Sequence, residues 1–147
     1  MRKLASVLPV AGLVLLTAAV LPSIPANAPS LSHELEEAAD EIHEYLHDNY
    51  GTSYGAHELE DAAAALHDVL HEWEQGNATE AEVEVEWDTT KDEWKNFEKT
   101  IKRAKVLKRG DDELDDLYDD VKDAYKDIKK ALKKVNKGKG KGKGGKK

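Results

Sequence analysis

The chain has 147 residues, which is enough for one small domain with a thin core, and its formal net charge is -8. It contains no cysteine and a single methionine, Met1, which excludes disulfides, Cys-ligated zinc, iron–sulfur clusters and thioether copper sites. Residues 29–90 hold 18 acids and no Lys or Arg, whereas residues 91–147 hold 20 Lys and Arg against 12 acids; the acidic half disfavours nucleic acid as a partner.

Residues 1–28 predict a secretory signal peptide. Arg2 and Lys3 provide a positive start, residues 4–21 are apolar, and Ala26-Asn27-Ala28 offers small residues at the cleavage spacing. Cleavage is expected after Ala26 or after Ala28. A single membrane anchor is the alternative, but the apolar run is only marginally long enough to span and prolines interrupt it. The mature protein is therefore expected to be secreted or periplasmic.

The next segment is one helix that occurs twice, at an offset of 24 residues. Ser32–Asp48 matches Ala56–Glu72, and each copy carries His-Glu-Leu-Glu, a centre of small residues and a His-acid-x-Leu-His end. Helix one is predicted from Leu31 to Asp48, with Ser32 as its N-cap, and helix two from Ala56 to Glu74. The short connection between them makes the two helices antiparallel neighbours.

Two further amphipathic segments predict helices three and four. Helix three is expected from a cap at Asn77 or Thr79 as far as Gly110, although Val83–Trp87 also alternates like a strand. Helix four begins at Asp111 and its apolar stripe ends at Val135, while Lys137–Lys147 is a Lys/Gly tail that predicts disorder. The expected fold is all-α: an up-down four-helix bundle over residues 29–136 whose first two helices are an internal duplication.

The six histidines lie at matched positions of the two copies. They are His33, His43 and His47 in the first copy and His57, His67 and His71 in the second. At 100° per residue, each set forms a polar stripe beside the apolar stripe of its helix. In an antiparallel pair, these two flanks either face each other or both point away.

Facing flanks would create two metal sites. One site would hold His43, His47 and His57 with Glu60 or Asp61 nearby, through a pairing of His47 with His57. The other would hold His33, His67 and His71 with Glu36 or Glu37 nearby, through a pairing of His33 with His71. Imidazoles at this spacing suit zinc, copper or nickel. If the flanks point away, metal binding requires a homodimer.

Two short motifs resemble those of known metalloenzymes. His43-Glu44-Tyr45-Leu46-His47 resembles the His-Glu-x-x-His signature of zinc metalloproteases, which implies that His43 and His47 bind zinc and that Glu44 activates water. The longer form of that signature continues with a glycine and a third histidine, where this chain has Tyr50 and Ser53. Glu44-x-x-His47 also resembles the motif of di-iron carboxylate bundles, whose ligands project into the bundle interior.

The sequence therefore favours an exported helical bundle, not an enzyme, that binds zinc, copper or nickel for sequestration or carriage. For the histidines themselves, the alternative is an inert or pH-responsive surface on acidic helices. The second function considered is that of a non-catalytic structural or interaction protein, which uses its helix surfaces and its Lys137–Lys147 tail to contact a partner such as an anionic polymer or a membrane surface. A small metalloprotease is the third.

Overall fold

The computed structural model describes residues 24–133 and 135, and this part of the chain forms an all-helical bundle. Its helices are α1 (Ala28–Tyr50), α2 (Ala56–Glu74), α3 (Glu80–Ala104) and α4 (Asp112–Ala131), and a 3-10 turn at Val106–Lys108 follows α3. α1 packs against α2 and α4, and α2 packs against α3. The predicted four-helix architecture is confirmed.

The start of α1 differs from the prediction. The helix begins at Ala28 rather than Leu31, with Pro29 in its first turn, where a missing backbone N–H costs no helical hydrogen bond. Ser32 is inside the helix and buried, and its hydroxyl donates to the carbonyl of Pro29 at 2.8 Å. The prediction of Ser32 as the N-cap is therefore wrong, because Asn27 precedes the first turn.

Most of the predicted signal peptide, and the whole of the predicted tail at Lys137–Lys147, lie outside the described residues. Ile24, the first described residue, is only 1% exposed and belongs to the hydrophobic core. Cleavage after Ala26 or Ala28 would remove this side chain from the core.

α3 begins with a reciprocal cap. The Thr79 hydroxyl accepts a hydrogen bond from the backbone N–H of Glu82, and the Glu82 carboxylate accepts one from the N–H of Thr79. Val83–Trp87 is helical, as predicted, rather than extended. The helix ends at Ala104, earlier than predicted, because Lys105 adopts a left-handed conformation with φ 61°.

The core consists of one apolar stripe from each helix, and aromatic rings fill the space between α3 and α4. The ring centroids of Trp94 and Tyr125 lie 4.8 Å apart in a stacked arrangement, and Trp87 stacks on Tyr125 at 5.8 Å. Such large side chains hold the axes of α3 and α4 apart. The apolar stripes thus fix which flank of each helix reaches the surface.

Candidate metal centre

The histidine-bearing flanks of α1 and α2 face each other across the hairpin. Leu35, Ile42 and Leu46 of α1 are buried, as are their counterparts Leu59 and Leu66 of α2. With these stripes turned inward, the stripe of His and acidic side chains beside each of them meets the equivalent stripe of the other helix. The sequence left open whether the two histidine-bearing flanks face each other or point away, and in the tertiary structure they face each other.

The first group consists of His33 and Glu36 from α1 and His67 from α2. Glu36 Oε1 lies 3.6 Å from His33 Nδ1 and 3.7 Å from His67 Nδ1. The two imidazole rings are 5.0 Å apart between centroids. One oxygen or nitrogen atom from each of the three residues lies within 4.8 Å of the other two, so the three can converge on one ion.

The second group consists of His57 and Glu60 from α2 and His43 from α1. Glu60 Oε1 lies 2.9 Å from His43 Nδ1 and 3.8 Å from His57 Nδ1. The rings of His43 and His57 are 4.7 Å apart between centroids. This group is the more enclosed of the two at its centre, since the side chains of His43 and Glu60 are 25% and 23% exposed.

The offset of 24 residues exchanges the two groups. It carries His33 and Glu36 to His57 and Glu60, and it carries His43 to His67. Each group therefore takes two residues from one copy of the repeat and the third from the other copy. An antiparallel pair of identical helices has an approximate two-fold axis between them, and this axis relates the two groups.

A further carboxylate lies behind one histidine of each group. Glu37 Oε2 is 3.2 Å from His33 Nε2, and Asp61 Oδ2 is 3.5 Å from His57 Nε2. A carboxylate on the second ring nitrogen fixes which nitrogen carries the proton and how the ring is oriented. The Nδ1 atoms of His33 and His57 are thereby left to face Glu36 and Glu60.

His47 and His71 lie outside both groups. His47 is 69% exposed and its Nδ1 lies 3.6 Å from its neighbour Asp48, while His71 Nδ1 lies 3.5 Å from Glu74. The ring of His71 is 6.3 Å from that of His67. The structure thus pairs His43 with His57 and His33 with His67, one helical turn away from the pairs expected from the sequence.

Within the described part of the chain, the residues of each metalloenzyme-like motif do not face a common point. His43 faces His57 and Glu60, whereas His47 is directed to Asp48, so the two histidines of His-Glu-x-x-His belong to different surroundings. Glu44 is exposed and belongs to neither group. It also does not project into the bundle interior, as the resemblance to di-iron bundles would require.

A polar contact missed by the sequence reasoning anchors the end of the hairpin to α4. The hydroxyl of Tyr45 donates to both carboxylate oxygens of Asp111 at 2.8 Å, and that of Tyr50 donates to Asp111 Oδ2 at 2.8 Å. These bonds, together with one from the backbone N–H of Leu114, lower the pKa of Asp111. The hydrogen bond to Asp111 is also the main reason that the pKa of Tyr45 is raised to about 12. The only sign of this contact in the sequence is the presence of two tyrosines near the end of α1.

None of the helices within the described ranges combines the length and the apolar character needed to cross a lipid bilayer. Comparisons of the chain with protein-family models, with curated proteins and with solved structures gave no significant match.

Proposed function

We propose that this protein is exported and binds a divalent transition metal, zinc, copper or nickel, at two sites on the α1–α2 hairpin, for sequestration or carriage. The observation that carries the proposal is the pair of equivalent groups, each built across the two copies of the repeat. A solvated acidic helix has no need to place two imidazoles and a carboxylate from different helices around one point, and here this happens twice.

The donor set suits these metals. Two imidazole nitrogens and one carboxylate oxygen form a mixed nitrogen–oxygen set that zinc binds at about 2.0–2.2 Å, with a water in the fourth position. Imidazole also suits copper and nickel, whereas calcium and magnesium prefer oxygen ligands alone. The carboxylates of Glu37 and Asp61 would orient His33 and His57 from behind.

Binding fits these sites better than catalysis does. Both groups lie on the open flank of the hairpin, where His33 and His57 are about half exposed. A substrate would need a cleft that excludes water around the ion. An ion held on an open flank can instead be taken up and released, and its affinity falls in acid because metal binding requires neutral imidazole.

Isothermal titration calorimetry of the purified protein with zinc, copper and nickel tests the proposal. We expect two ions per chain. His43→Ala with His67→Ala removes one ligand from each group and should weaken binding about 100-fold or more, since each site loses one of its three protein ligands. His47→Ala with His71→Ala is the matched control, because it also removes one histidine from each helix, but from outside the groups.

Two results would reject the proposal. One is the lack of saturable binding tighter than about 50 μM for any of the three metals. The other is an equal loss of affinity in the control variant, which would mean that the groups seen here are not the sites. N-terminal sequencing of the protein recovered from outside the cytoplasm tests the export part separately.

A further inference from the structure

α1 and α4 border a groove whose walls are acidic along its length. The groove has a volume of about 490 Å³, and its floor is formed by Ala38 and Ala124. α1 contributes Glu34, Glu37, Asp40 and Glu41 to the walls, and α4 contributes Asp120, Asp123 and Asp127. The groove adjoins the histidine-bearing flank of α1 through Glu37, which lines the groove and also contacts His33.

The carboxylates of the groove lack ion-pair partners in the described part of the chain, although lysines lie among them along α4. Among residues 24–133 and 135, none of these seven carboxylates forms an ion pair with a lysine or an arginine. α1 contains no Lys or Arg at all. Carboxylates this close repel one another, so a cationic segment in the groove would relieve a repulsion that the bundle otherwise retains.

The chain itself contains such a segment, and it continues from the adjacent end of α4. Residues 136–147 contain six lysines and no acid, and every lysine up to Lys143 is separated from the next by one glycine. α4 ends at Ala131, one turn beyond Asp127, and Val135 is buried against the core. The segment therefore begins near the Asp127 end of the groove.

Length and side-chain size are compatible with this placement. Twelve residues span up to about 40 Å when extended, whereas Asp120 to Asp127 covers only about 10 Å of α4. Glycine at alternate positions keeps the backbone slim over a floor of alanines. We therefore propose that the Lys137–Lys147 segment docks in the groove between α1 and α4 of its own chain.

Carbodiimide cross-linking of the full-length protein, followed by peptide mass spectrometry, tests this docking. The reagent joins a lysine amine to a carboxylate only where the two are in contact. At low salt we expect bonds from the segment's lysines to Glu34, Asp40 and Glu41 of α1. Mixing isotope-labelled and unlabelled protein shows whether these bonds form within one chain, as the proposal requires.

Two variants with equal charge make the test specific. Asp120→Asn, Asp123→Asn and Asp127→Asn neutralise the α4 wall while leaving the α1 carboxylates as reporters. Glu58→Gln, Asp68→Asn and Glu72→Gln remove three exposed charges from α2, a helix that contributes no residue to the lining of the groove. The yield on α1 should fall about fivefold in the first variant and in 1 M salt, where the Debye length is about 3 Å, but not in the second variant.

Three outcomes would overturn the proposal. The bonds could spread evenly over the acidic residues of all helices, they could form only between chains, or the two variants could lose equal yield. Each of these would show that the segment senses the overall negative charge, or another molecule, rather than this groove. Circular dichroism of both variants verifies that the bundle is intact.

Discussion

Tyr118 and Tyr50 carry the same hydroxyl in opposite surroundings. Tyr118 is 6% exposed, and its hydroxyl has no hydrogen-bond partner within the described part of the chain. Burial raises its pKa to about 12. The hydroxyl of Tyr50, by contrast, donates to Asp111 at 2.8 Å. Removal of the hydroxyl should therefore have opposite effects at the two positions.

We expect Tyr118→Phe to leave the free energy of unfolding unchanged or to raise it by up to about 1 kcal/mol, because an unpaired buried hydroxyl costs its desolvation. Tyr50→Phe should lower stability, since Asp111 then loses a donor. Urea denaturation of both variants measures the difference. A clear destabilisation by Tyr118→Phe would show that its hydroxyl is satisfied in solution.

At the scale of the elements, the connection between α1 and α2 contains one glycine that lies close to the backbone of another helix. Gly55 has φ 96°, and a Cβ there would lie 3.3 Å from the backbone Cα of Phe97 on α3. Gly76, in the next connection, has φ 83° but open space around it. Gly55 therefore allows the start of α2 to pack closely against α3. This contact helps to set the position of α2 along the bundle axis.

Replacement of the two glycines should separate these effects. Gly76→Ala pays only for the left-handed backbone, about 1–2 kcal/mol. Gly55→Ala has the same backbone strain and also displaces the Phe97 backbone. We therefore expect it to lower the melting temperature more than Gly76→Ala does. Equal melting temperatures would mean that α3 can move away from Gly55 at little cost.

The connection between α1 and α2 also explains why the observed pairs of facing histidines differ by one helical turn from the predicted pairs. Periodicity shows which flank of a helix carries His43 and His57, because that depends only on residues within the helix. The position of His57 along the axis of α1 depends on where α2 begins. The path of the connection and its contact with Phe97 help to set that starting point. No local pattern contains that information.

At the scale of the whole molecule, Asp111 joins the C-terminal end of α1 to the start of α4. Its carboxylate holds Tyr45 and Tyr50 of α1 and also caps α4 through the N–H of Leu114. These bonds hold its pKa below the ordinary value of 3.8. The stability that the carboxylate contributes is therefore complete above pH 3.8 and is lost as the pH falls further.

We expect Asp111→Asn to lower the melting temperature at pH 7 and to have a smaller effect at a pH well below 3.8, because the wild-type carboxyl becomes protonated as the pH falls. Asparagine can still cap a helix, so the comparison isolates the charge. Asp112→Asn removes a neighbouring charge without these bonds and should change little at either pH. A difference between Asp111→Asn and wild type that does not shrink as the pH is lowered below 3.8 would contradict this account.

The sequence by itself determined the all-helical bundle, the duplicated helix and the flank on which the histidines of α1 and α2 lie. These features follow from apolar spacing and from an exact count of residues between two copies, which are local properties of the chain. Only the tertiary structure decided that the two flanks face each other, that His43 rather than His47 stands beside His57, and that Asp111 reaches Tyr45. Each of these depends on how whole helices are placed, because packing in three dimensions brings together residues that are far apart in the chain.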